Sequence, residues 1–201
     1  DCPPLSPQKL TQPTDWERAL WGGGPNAHRN QVINNESKRK YEGFYALNES
    51  LNVFEGNQYW VIRDNRIEGY MYGMQLGIGS RGGPPAYTLV EGNLITRCNN
   101  GLHIKTGDNR IRGNHISDMQ SGYRGYGTGI YLRSGPRTVV ENNRVERAEW
   151  AGIRVMGGEH VLRNNIVIDT PVGIWLSSHS YGRAGGETWI VHNTIARVVL
   201  P

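Results

Sequence analysis

The sequence predicts an all-β solenoid of short parallel strands, and three observations carry that prediction. One Asn recurs at a fixed place: VIRDN ends at Asn65, LVEGN at Asn93, RIRGN at Asn114, VVENN at Asn143, VLRNN at Asn165 and WIVHN at Asn193. The intervals are 28, 21, 29, 22 and 28 residues. Each Asn except the last is followed by a Gly-apolar-x-apolar segment, beginning at Gly73, Gly101, Gly129, Gly152 and Gly173. Finally, 27 Gly and 18 Asn among 201 residues argue against a helical bundle, because both are poor helix formers.

Apolar and polar residues alternate over four or five positions, which is strand period. Gly, Asn and Asp lie between the strands and tolerate tight turns. An Asn at one turn of every coil can hydrogen-bond to the next Asn along the axis. Coils of this length, each with three short strands, are the signature of a right-handed parallel β-helix. About six to seven coils fit the chain. A β-sandwich would instead require antiparallel hairpins with strands every ~8 to 12 residues, and it explains neither the fixed Asn nor the fixed Gly.

In chain order, residues 1–30 stand outside the repeat. Pro3, Pro4, Pro7 and Pro13 punctuate them, and Thr14-Asp15-Trp16-Glu17 fits a short capped helical turn. This segment is expected to cover the N-terminal end of the stack. Residues 31–201 form the repeats. A weak first copy has Asn34 or Asn35 as its rung and Gly43-Phe-Tyr-Ala as its strand. The regular coils follow. After Asn193 the pattern expects another strand near residue 201, where the sequence stops. The chain therefore reads as a segment of a longer solenoid, with further coils of the same or another chain at its C-terminal end.

Three insertions decorate the coils: 77–88, 115–128 and 177–189. Each pairs an Arg with aromatics: Arg81 with Tyr87, Arg124 with Tyr123 and Tyr126, and Arg183 with Tyr181 and Trp189. Long loops on a rigid scaffold commonly carry function.

Charge narrows the partners. The sequence has 22 Lys plus Arg against 18 Asp plus Glu, a net charge of +4. This draws anions without demanding nucleic acid. Eighteen of the cations are Arg, whose planar fork fits carboxylate and sulfate groups. No apolar run reaches the ~18 residues of a membrane span. Cys2 and Cys98 are too few for a disulfide scaffold and can pair or stay free. No Cys/His spacing suggests zinc, and Gly22-Gly23-Gly24 lacks the residues of a phosphate loop.

In each Gly-apolar-x-apolar strand the period of two sends the apolar residues inward and x outward. The outward ladder reads Gln75, His103, Tyr131, Arg154, Trp175. The residue after each strand gives a second ladder: Gly77, Lys105, Arg133, Met156, Ser177. Rungs ~4.8 Å apart bring neighbours within reach of one sugar ring. The expected patch is exposed, basic and aromatic, and it has no carboxylate. A glycosidase needs two carboxyl groups flanking the bond. The nearby acids Asp108, Glu141, Glu149 and Glu159 fall in turns or on other faces. β-Elimination on a uronic acid suits the patch better: one base takes the C5 proton, and cations steady the charge building on the carboxylate. Lys105, Tyr131 or His103 can serve as base, and Arg133 and Arg154 can bind the carboxylate. Trp175 reads as a sugar platform or as a packing residue under a loop.

The stretch from Gly101 to Asn165 resembles polysaccharide lyase family 6, the β-helical alginate lyases and chondroitinase B. The likeness runs through Ile104-Lys105-Thr106, Asn109, Gly113-Asn114, Gly129 to Gly135, Val140 to Asn143, Ala151 to Val155 and His160-Val161. It implies Lys105 as base and Arg133 as acid or carboxylate partner. The sequence departs from the family at two places. Cys98, Asn99 and Asn100 stand where the family carries acidic calcium ligands, and Ser134 stands where it carries His.

The resulting expectation is a secreted, periplasmic or cell-surface protein that handles an acidic polysaccharide. In the sharper form it is a lyase with Lys105 and Arg133 as catalytic residues. His103, Tyr131, Arg154, Trp175, Arg124 and Tyr126 then bind substrate. No cofactor or metal is expected; calcium is the alternative, without its usual ligands. A non-catalytic glycan-binding or structural module and a uronate epimerase are the competing readings.

Overall fold

The computed structural model describes residues 20–22, 29, 31–38, 49–53, 58–77, 86–121, 127–177 and 186–198. The strands among them build three parallel sheets of seven strands each. The chain visits sheets A, B and C in turn and re-enters sheet A one coil further along. The described residues form seven coils of a parallel β-helix. Sheet A contains Leu20–Gly22, Glu49–Val53, Tyr72–Leu76, Asn100–Ile104, Thr128–Leu132, Ala151–Met156 and Val172–Ser177. Sheet B runs from Gln31–Ile33 to Trp189–Val191, and sheet C from Glu36–Lys38 to Thr194–Ala196.

In the interior coils, sheets B and C supply one central inward residue per strand and sheet A two. Ile62, Val90, Ile111, Val140 and Leu162 fill the core from sheet B, and Ile67, Ile95, Ile116, Val145 and Val167 from sheet C. Leu102 with Ile104, and Ile130 with Leu132, do so from sheet A. β-Branched side chains dominate because they pack well on a pleated surface.

The recurring Asn holds the corner between sheets B and C. Asn114 Nδ2 donates to Asn143 Oδ1 at 2.9 Å and to Val90 O at 3.0 Å, while its backbone N–H donates to the same Asn143 Oδ1 at 3.0 Å. The arrangement repeats from Asn35 through Asn165, and Asn193 accepts the last bonds. The residue before each rung has positive φ: Asn34, Asp64, Gly92, Gly113, Asn142, Asn164 and His192. Gly, Asn and Asp tolerate that region best, which explains the D-N, G-N and N-N pairs.

The structure revises several expectations. Asn35, rather than Asn34, carries the first rung. The sheet A strand of that coil is Glu49–Val53; residues 43–46 lie outside the described residues. Leu20–Gly22 pairs with Glu49–Val53, so the stack starts upstream of residue 31. The rest of residues 1–30, apart from 29, lies outside the description. His115–Met119 is a sheet C strand, paired with Leu94–Thr96 and Arg144–Ala148, and does not belong to an insertion. Its Ile116 and Met119 both join the core, and their spacing of three breaks the alternation that marks a strand in sequence. Cys98 is a free, buried thiol. It accepts from Tyr70 N and donates to Thr96 O, both at 3.4 Å, and burial pushes its pKa up to about 12.

Candidate functional site

Sheet A places the predicted ladder in register. Gln75, His103, Tyr131, Arg154 and Trp175 are direct neighbours on successive strands. The side chains stack along the axis. The His103 ring lies 4.8 Å from Tyr72 and 5.0 Å from Tyr131, the latter pair within 6° of parallel. The Arg154 guanidinium sits 4.6 Å from the Tyr131 centroid and 4.8 Å from that of Trp175. Trp150 extends the stack, 5.3 Å from Trp175. Strand spacing matches ring stacking distance, so one flat group per coil forms a continuous column.

The second ladder runs alongside. Lys105 N donates to Leu76 O, and Arg133 N donates to Ile104 O, both at 2.8 Å. Parallel pairing thus continues one residue past the strands, and Lys105 and Arg133 occupy one position on adjacent coils. Ser134 Oγ donates to Lys105 O at 3.2 Å, tying the turn after Arg133 to the coil below. Tyr131 Oη donates to Met156 Sδ at 2.7 Å, linking the two ladders.

The expected exposure is not found. His103 is 2% exposed, Lys105 8% and Tyr131 9%. The period of two does turn these residues away from the core, but flat rings at strand spacing seal one another's faces. Arg133, Arg154 and Trp175 are half-buried. Arg124 and Tyr126, also expected at the site, lie outside the described residues.

Electrostatically the face is less uniform than its sequence. Burial, then Lys105, Arg133 and Arg154, push the His103 pKa well below the usual histidine range. His103 is therefore a neutral imidazole among cations. Among the described residues neither of its ring nitrogens finds a hydrogen-bond partner, and the same holds for Arg154 Nε and Trp150 Nε1. The acids engage arginines elsewhere. Glu141 lies between Arg110 and Arg163 on sheet B, Glu146 meets His115, Arg144 and Arg147 on sheet C, and Asp108 meets Arg137 in a turn. Burial alone would raise the Glu141 carboxyl, but Arg163 and Arg110 hold it below its usual range.

Cys98, Asn99 and Asn100 do not fit calcium. None is a carboxylate, the Cys98 thiol is protonated, and Asn100 Oδ1 already accepts from Thr128 N at 3.1 Å. Among the described residues, no three His, Cys, Asp or Glu side chains come together as a metal site.

Sequence reasoning missed Trp150 and Tyr72. Tyr72 pairs with Asn100, and Trp150 precedes Ala151, the partner of Thr128. Aligning the coils a residue or two upstream of the Gly-apolar motif would have placed both at the edge of the ladder.

Comparison with known proteins adds three findings. A family model described as a right handed beta helix region matches residues 20–195. Among solved structures, an alginate lyase from Paenibacillus sp. str. FPU-7 is similar at 15% sequence identity and a TM-score of 0.46, covering 90% of this chain and 91% of that one. Comparison with the curated proteins finds no match.

Proposed function

The chain belongs to the right-handed β-helix region family, and from that premise we propose that sheet A of this solenoid acts on an acidic polysaccharide by β-elimination. One observation carries the reading. Lys105 and Arg133 hold the same position on consecutive coils, on the face that also carries His103, Tyr131 and Arg154. The chemistry needs one base and a cluster of cations. Lys105, after giving up its own proton to solvent, takes the C5 proton of a uronate as a neutral amine, the electron pair forms the C4–C5 double bond, and the C4–O4 bond breaks as the leaving oxygen takes a proton from water. Arg133 offsets the negative charge that spreads onto the carboxylate. His103, neutral and fixed between two rings, lines the site and adds no charge. Acidic glycans of this kind place the protein in a secreted, periplasmic or cell-surface setting.

The burial of the column favours a second reading. A stack with His103 2% exposed also suits a structural spine, with glycan held at its half-buried rim around Arg154 and Trp175 and no chemistry.

Ultraviolet absorbance of unsaturated uronates separates the two. The protein is incubated with alginate, chondroitin, dermatan and pectate, with and without calcium, beside a Lys105→Ala variant. A rise that disappears in the variant is expected and names the substrate class. No rise on any polymer, from folded protein, removes the lyase reading for those substrates and leaves the binding module. An epimerase would leave the absorbance flat while changing the uronate composition seen by NMR.

A further inference from the structure

Beyond the Lys105–Arg133 pair, the far end of the column carries donors with no acceptor. Trp150 Nε1 and Arg154 Nε are shielded from solvent and make no hydrogen bond among the described residues. Both side chains contact Trp175, the indole at 5.3 Å and the guanidinium at 4.8 Å. Unmatched buried donors are costly and uncommon in folded proteins. An indole N–H and a guanidinium N–H can only donate, so any partner must bring acceptors. Beside a guanidinium, the acceptor that gains most is an oxyanion.

We propose that Trp150 and Arg154 form an oxyanion subsite around Trp175, which holds the carboxylate or sulfate ester of a sugar in a bound acidic glycan. Arg154 lies two coils beyond His103, which is roughly 10 Å along the axis at ~4.8 Å per coil. The subsite therefore engages a sugar other than the one at Lys105. It takes its ligand class from the acidic-glycan reading and does not depend on elimination chemistry. Trp175 acts here as the wall that sets the two donors in place.

Affinity electrophoresis of the full chain tests this, through gels containing alginate, chondroitin sulfate or, as a neutral control, dextran. Trp150→Phe keeps the ring and removes only the N–H. Arg154→Lys keeps the charge and removes the Nε donor. Near-ultraviolet circular dichroism checks that each variant retains its packed aromatic column. Both substitutions are expected to weaken retardation by the acidic polymers about tenfold, the size of one lost charge-assisted bond, with no effect on dextran. A loss on both acidic polymers identifies the carboxylate, and a loss confined to chondroitin sulfate identifies the sulfate ester. Acidic polymers that retard wild type and Trp150→Phe equally would overturn the subsite and leave the acidic-glycan reading intact. No retardation of wild type by any acidic polymer would overturn both.

Discussion

At the corner preceding sheet B, Thr88 N donates to Asn109 Oδ1 at 3.1 Å, and two coils later Thr138 N donates to His160 Nδ1 at 3.3 Å. His160 thus does the work of an Asn, but it titrates. Burial lowers its pKa from 6.5 to about 4, against a smaller raising effect from Glu159. Above pH 6.5 neither the folded nor the unfolded chain protonates this ring, so it contributes no pH dependence. Below 6.5 the unfolded chain takes up a proton that the folded ring refuses, and stability falls until about pH 4. The full loss over that window is about 3 kcal/mol. His160→Asn keeps the acceptor and removes the proton. Urea unfolding at pH 7 and at pH 4.5 should show the variant losing less stability on acidification than wild type. Parallel losses in the two proteins would contradict the assignment. His103, whose pKa is also lowered, supplies a residual slope of the same sign in both.

Among elements, the Gly that opens each sheet A motif is explained by close approach across the coil. A Cβ on Gly129 would overlap Val145 Cγ1 and lie 2.7 Å from Gly152 O. On Gly101 it would lie 2.6 Å from both Ile116 Cγ2 and Gly129 O. Neither the neighbouring backbone nor the packed β-branched side chain can retreat, so Gly129→Ala should destabilise by about 2 to 4 kcal/mol. A thermal melt within a degree or two of wild type would show that the coil can open there. The recurrence of this Gly was legible in the sequence; its cause was not, because the residue it touches belongs to a different sheet. The site divides the same way. Membership of both ladders followed from a period of two and a constant register, so His103, Lys105, Tyr131, Arg133 and Arg154 could be placed together by counting. Their burial could not be counted, because it arises from ring faces closing on rings of adjacent coils. Trp150 escaped because it lies in the turn before Ala151, outside the strand that the alternation marks.

The whole molecule behaves as a one-dimensional array in which each coil touches only its neighbours. The interior coils are sealed, with Ile111, Val140 and Leu162 fully buried, while their counterpart in the last coil, Ile190, is 39% exposed. Leu176 and Ile195 are exposed in the same coil. In a polypeptide of residues 1–201, opening should progress from this edge inward. In native-state hydrogen exchange, amides of Trp189–Val191 and Thr194–Ala196 are expected to exchange fastest among the described strands of sheets B and C, and those of Asn100–Ile104 and Thr128–Leu132 slowest in sheet A. A single uniform rate would instead indicate one cooperative unit. The Asn rungs have a different consequence. Coils of 21 and 22 residues close with side-chain contacts of 2.9 and 3.0 Å, and coils of 28 and 29 residues close at 2.9 Å. Coil length and rung geometry are thus uncoupled. The rung therefore fixes the stacking whatever the length of the coil it closes, so a coil can gain or lose residues between rungs without changing how the solenoid folds.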